Sequence, residues 1–330
     1  MAGHVRTQRF FPTPAALLCR ASPPPFGVES RQTDGVSSPI PAERLLPWAS
    51  RACWVGLLVA GGEAVAQSTS GRPDAVRAVA TWGGGAIWVA GVVAMAAGSL
   101  VTLTAARAIV PLAVPAMIAA WITGASAGIG ALAVGFALAG TAVVNTAEFG
   151  RAFAQASAYG HEQRYPLRPP PAYVLAAVTT WLLVATTGFT GPLVLAQRRW
   201  FLGAVLCAAA AVLAVWSWPR WHKLSRRWLV IVPVGMVIHD HLVLGETLML
   251  RRHEVAGVRL APADTQAFDL TGPASGHALE ISTTESVTVT LAASPKEPRG
   301  RVIHLTACLV APSRPGRALE SVAARHLPVG

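Results

Sequence analysis

Four stretches of this sequence hold no charged residue: Ala78 to Ala106, Ala108 to Ala147, Pro169 to Gln197 and Trp200 to Pro219. A helix crosses a hydrocarbon core with about 20 apolar residues, so three of these runs suit one pass and the forty-residue run suits two. That run can turn at Thr123, Gly124, Ala125 and Ser126, small residues that tolerate a tight connection. A weaker run, Leu45 to Gln67, carries Arg51 near its start and Glu63 near its end, where both charges can snorkel toward headgroups. The pattern predicts six spans, at about 47–67, 80–104, 108–123, 127–146, 172–195 and 200–218.

After Trp228 the period changes from helical to alternating. Leu229 to Val232 and Met236 to His239 read as two strands joined by Pro233, Val234 and Gly235. Further strand-like runs are Thr247 to Leu250, Val255 to Leu260, Ala278 to Thr283, Val287 to Ala292 and Val302 to Val310, with turn-rich stretches such as Thr271, Gly272, Pro273 between them. Ser313 to His326 reads as a closing helix, with Ala318, Leu319, Val322 and Ala323 as its apolar stripe. About seven strands and one helix predict a small β-barrel or α+β domain, long enough to fold alone. Residues 1–44, with seven prolines, read as a disordered Pro/Arg-rich leader. Ala15 to Cys19 is too short for a cleaved signal; a start nearer Ala42 is the alternative. The organisation expected is therefore leader 1–44, transmembrane bundle 45–218 and cytoplasmic domain 219–330.

Composition supports this division: 53% of residues are hydrophobic and 13% charged, with mean hydropathy +0.47, whereas soluble domains carry about a quarter charged residues. Residues 45–218 hold nine basic and four acidic residues against thirteen and nine in 219–330. This excludes a soluble enzyme for the middle of the chain and a wholly disordered protein. The net charge of +11 does not imply nucleic acid, because the basic residues sit beside apolar runs, as the positive-inside rule requires. Six spans put both termini on one side. The leader, the arginines between Glu148 and Arg168 and the Arg220 to Arg227 segment make that side cytoplasmic and the membrane the plasma membrane, although Arg198 and Arg199 fall opposite. The four cysteines, Cys19, Cys53, Cys207 and Cys308, show neither disulfide nor zinc spacing.

Several residues carry candidate chemistry. Arg220, Lys223, Arg226 and Arg227, interleaved with Trp221 and Trp228, form a juxtamembrane cluster suited to anionic lipid, at about 1 kcal/mol per residue; fixing topology is their plainer role. Glu63 is the intramembrane polar candidate, for transport or proton relay. Arg107 is expected in a short loop and Glu148 just past a helix end. Pro111 and Pro115 share one face of the third span and suit either a broken transporter helix or ordinary packing. Gly124 and Gly128 form a G-x-x-x-G that offers weak support for a packed bundle or homo-oligomer. His239 and His241 alternate at a strand end and resemble two metal ligands, but no third ligand follows from spacing, so no metal site is expected. No phosphate-cradling loop, nucleophile elbow or zinc-protease motif appears, so neither an enzyme nor a cofactor is expected.

The Arg226-Arg227-Trp228-Leu229-Val230 start, the Val232-Pro233-Val234-Gly235 turn before His239-Asp240, and the Ala311-Pro312-Ser313-Arg314-Pro315-Gly316 join resemble the tail of uncharacterised actinobacterial multi-span membrane proteins, a tail similar to the bacterial pleckstrin-homology-like domain. The resemblance implies a PH-like fold but brings no catalytic residues with it. It also departs from phosphoinositide-binding members, which carry basic residues where this chain has Pro233, Val234 and Gly235. The expectation is a polytopic bundle with a PH-like domain, acting as a scaffold or regulatory subunit that touches membrane lipid and a protein partner. The alternative is a small transporter or channel component using Glu63.

Overall fold

The computed structural model describes residues 41–293, 297, 298 and 300–330; the expected leader lies outside them, apart from residues 41–44. The first helices are α1 (Pro41–Thr69), α2 (Asp74–Ala96) and α3 (Leu100–Ile109), then a 3₁₀ turn at Val110–Leu112, α4 (Ala113–Thr123), α5 (Ala127–Val144) and the short α6 (Ala147–Ala156). Strand β1 (Gln163–Pro166) precedes the hairpin of α7 (Pro171–Ala196) and α8 (Trp200–Ser225). Among the described residues, six helical segments are long and apolar enough to span a membrane: Leu45–Thr69, Asp74–Ala96, Leu100–Thr123, Ala127–Val144, Pro171–Ala196 and Trp200–Ser225.

The second and third segments start several residues earlier than the charge-free runs predict. The chain turns at Ala97 and Gly98, where Ser99 and Thr102 form a reciprocal cap at the start of α3. Arg107 consequently lies inside α3 and not in a loop. Its Nε donates to the Val144 carbonyl at 3.2 Å, and Gly150 lets the guanidinium approach, since a Cβ there would lie 2.7 Å from Nη2. A charge marks a loop only where nothing inside the fold receives it.

Segments α1 to α6 share one core built from Trp54, Leu57, Met95, Leu103, Met117, Phe149 and many alanines. The Trp54 and Trp88 indoles each donate to the other residue's carbonyl, at 2.9 and 2.8 Å, and so fasten α1 to α2. The α7–α8 hairpin packs closely on itself, with Gly191 against Cys207 and Gly203 against Leu195. It meets the other helices at particular points: Trp181 Nε1 donates to the Ala108 carbonyl at 2.8 Å, and Thr104 Oγ1 lies 3.0 Å from His222 Nδ1.

The remaining strands are β2 (Arg227–Val232), β3 (Gly235–Asp240), β4 (Leu248–Arg251), β5 (Val255–Leu260), β6 (Phe268–Asp269), β7 (Leu279–Leu291) and β8 (Arg301–Val310), followed by α9 (Pro315–Ala324). They form two four-stranded sheets, ordered β1-β2-β3-β4 and β5-β7-β8-β6, and not the closed barrel that the strand count predicts. The runs expected at 278–283 and 287–292 are one strand, β7, with an irregularity between Ser282 and Val287. Leu229, Ile231, Met236, Ile238, Leu279, Ile281, Ala318 and Val322 fill the space between the sheets and α9. At the β2–β3 turn Gly235 has φ +153°, and the Leu250 carbonyl leaves no room for a Cβ.

The connection between α5 and α7 is more than a loop. Gln163 to Pro166 pairs antiparallel with Ile231 to Trp228, and Tyr165 and Leu167 enter the core between the sheets. The Tyr165 hydroxyl lies 3.1 Å from the Arg317 carbonyl and bonds Ser321 on α9. Ser313 donates through both N and Oγ to the Pro166 carbonyl at 2.8 Å, and Arg314 pairs with Glu148 on α6. The sheet region therefore begins before α7 in sequence, and the boundary expected at 219 leaves out its edge strand.

Candidate functional site

Strand β2 is buried on both faces, from Arg227 to Ile231. Leu229 and Ile231 point into the core, whereas Trp228 and Val230 turn outward and pack with Ala154 of α6, beside Leu100 and Val237. Period-two alternation places His239 on the same outer face, directly across from Trp228. Between this face and the start of α3 lies a recess of about 280 Å³, lined by Leu100, Arg164, Arg226, Trp228, Val230, Val237 and His239.

The polar groups of the recess differ in how far they are committed. Arg164 pairs with Glu162 at 2.6 Å through Nη2, and its buried Nε has no hydrogen-bond partner among the described residues. Arg226, the cap residue after α8, is partly exposed and its guanidinium has no hydrogen-bond or ion-pair partner among the described residues. The Trp228 and His239 rings stack at 5.9 Å and 11°, and His239 Nδ1 lies 3.1 Å from Thr247 Oγ1. Burial, then the neighbouring His241 and Arg226, push the His239 pKa down to about 4, so the ring is neutral at pH 7.

The sequence places Arg227 among the lipid contacts, and the structure overturns this. Arg227 is 2% exposed. Its Nε and Nη2 donate to the two Asp240 oxygens at 2.8 and 2.6 Å, and its remaining donors reach the Arg168 and Thr271 carbonyls. A guanidinium so occupied has nothing left for a headgroup. Arg220 and Lys223 are exposed on the last turns of α8, and the Arg220 guanidinium stacks 3.6 Å from the Trp216 ring. Of the four expected basic residues only Arg226 lines the recess. Arg164, which lines the recess beside it, was missed: the only hint in the sequence is the apolar pair Tyr165 and Leu167 at alternate positions, too short a run to stand out.

Glu63 is exposed at the opposite end of the helices, in an open recess with Ala66, Gln67, Ser70, Gly124 and Ser126. Gln67 donates to its Oε1 at 2.8 Å and accepts from the Ser126 amide at 2.8 Å. The third segment is interrupted at Pro111 by the 3₁₀ turn. The His239 and His241 rings do meet, edge to face at 4.3 Å, but among the described residues no three His, Cys, Asp or Glu converge on a metal position. Asp240, between them, is bound to Arg227. No family model matches this sequence, and no curated protein or solved structure matches it significantly.

Proposed function

We propose that the chain is an integral membrane protein of the plasma membrane, crossing it six times with both termini cytoplasmic, and that it acts as a non-enzymatic scaffold or regulatory subunit through its sheet region. The observation that carries this reading is the stitching of the sheets to the helix ends by α6, β1 and the Arg314–Glu148 pair. Such an attachment holds a binding surface at a fixed distance from the bilayer, which a flexible tether does not. Arg151, Arg164, Arg168, Arg220, Lys223 and Arg226 lie at that same end, against Arg72, Arg77, Arg198 and Arg199 at the α1–α2 and α7–α8 turns, an excess in line with a cytoplasmic side. Resemblance to the bacterial PH-like domain and to actinobacterial membrane proteins belongs to the same reading.

The test is affinity purification of the tagged full-length protein from its native membrane, compared with a chain ending at Trp218. A protein partner lost on truncation supports the scaffold reading; identical partner sets in both samples refute it. Orientation is tested separately with Ser70→Cys and Glu246→Cys in intact cells. Labelling by a membrane-impermeant thiol reagent is expected at position 70 and not at 246. The 3₁₀ break at Pro111 favours a second reading, a small transporter component. That reading requires Glu63→Gln to abolish substrate flux, and unchanged flux removes it.

A further inference from the structure

The end of the helices nearest the sheets carries a built recess whose charge suits one particular chemistry. Arg226 caps α8 and Leu100 opens α3, so the recess lies where two apolar helices end, the level of phospholipid headgroups if these helices span a bilayer. Its charged groups are Arg164, Arg226 and the carboxylate of Glu162 that pairs with Arg164, leaving one net positive charge. The apolar wall of Val230 and Val237 and the stacked Trp228–His239 pair complete it. At about 280 Å³ it exceeds the roughly 30 Å³ that one water occupies by enough to admit a larger polar group.

We infer that this recess binds the phosphodiester of an anionic phospholipid headgroup, with Arg226 as the principal contact and the guanidinium of Arg164, which also lines it, as the second cationic group. The inference rests on the membrane reading above. One net positive charge matches the single negative charge of a phosphodiester better than the two of a phosphomonoester. Arginine is suited to this role because its planar fork meets phosphate oxygens in pairs. Neutral His239 contributes a ring face and adds no charge. Arg227 takes no part, since Asp240 neutralises it inside the core.

The test uses the full chain in mild neutral detergent, offered phosphatidylglycerol, phosphatidylcholine or inorganic phosphate, with bound lipid read by native mass spectrometry. Phosphatidylglycerol is expected to be retained in preference to phosphatidylcholine and to resist displacement by excess inorganic phosphate. Arg226→Gln is expected to lower its retention roughly tenfold or more, whereas Arg220→Gln, at an exposed arginine outside the recess, changes it far less. Val237→Glu, which puts a carboxylate in the wall to compete with the phosphodiester, is expected to repeat the loss with both arginines still in the sequence. Equal retention by Arg226→Gln and Arg220→Gln overturns the recess, and so does ready displacement by inorganic phosphate, which marks a free-anion site. Alkaline carbonate extraction separates the two failures: a chain that stays with membranes while Arg226→Gln keeps its lipid refutes only the recess, and a wild-type chain that washes off refutes the membrane reading.

Discussion

The two recesses at opposite ends of the helices contain charged side chains in very different settings. Around Glu63 the polar contacts come from its own helix and one neighbouring turn, and the carboxylate is exposed and bonded to Gln67 four residues on. Around Arg226 the lining comes from β1, β2, β3 and the start of α3, and one guanidinium nitrogen is buried without a partner. The first arrangement satisfies itself. The second leaves the partly exposed Arg226 without a protein partner among the described residues, so the recess has capacity for an anion that the first lacks. Convergence of separate elements on uncommitted polar atoms distinguishes a candidate site from a charge that merely lies near a helix end.

The comparison breaks most severely at the Arg227–Asp240 pair, which supports the sheet carrying the Arg226 recess. Asp240→Ala leaves a buried guanidinium unpaired and is expected to cost about 3–5 kcal/mol, enough to unfold the sheet region in a thermal melt, whereas Glu63→Gln is expected to shift stability by less than about 0.5 kcal/mol. Similar melting of both variants would erase the distinction drawn between the two ends. Next in size, Tyr165→Phe removes the hydroxyl that joins β1 to α9 and should cost about 1–3 kcal/mol by the same assay.

His239 supplies a pH dependence confined to the sheet end. Its folded pKa of about 4 lies below the ordinary 6.5, so between these values the unfolded chain binds more proton than the folded one. Stability from this group is complete above pH 6.5 and falls as pH drops toward 4. His239→Gln should flatten that part of the pH profile, and an NMR titration of the ring should show a midpoint near 4. The smallest expected effect is at Cys308, whose thiol burial pushes up to about 12; it should resist alkylation in the native protein and react once denatured.

Much of the fold was legible because apolar runs of about 20 residues and period-two alternation are strong signals. The helical hairpin at 172–218 and the strands from Val255 to Leu260 and Val302 to Val310 follow from those signals. The start of α3 was not legible, because its boundary depends on the Ser99–Thr102 cap while Arg107 imitates a loop. Strand β1 was hidden because four residues between two long apolar segments carry little pattern, and their role appears only when β2 pairs with them. The same gap concealed Arg164. The fates of Arg226 and Arg227 are also a tertiary matter: adjacent in sequence, they diverge because Asp240 arrives across the β2–β3 hairpin opposite only one of them.

The sheet region is built on the α5–α7 connection and is not a separable tail. The most direct measurement is the NMR spectrum and thermal melt of residues 219–330 alone, with and without a peptide covering residues 157–170. Poor dispersion and no cooperative transition alone, with both improved when the peptide supplies Tyr165 and Leu167, is the predicted result. A well-dispersed spectrum and a cooperative melt from residues 219–330 alone, unchanged by the peptide, would contradict it.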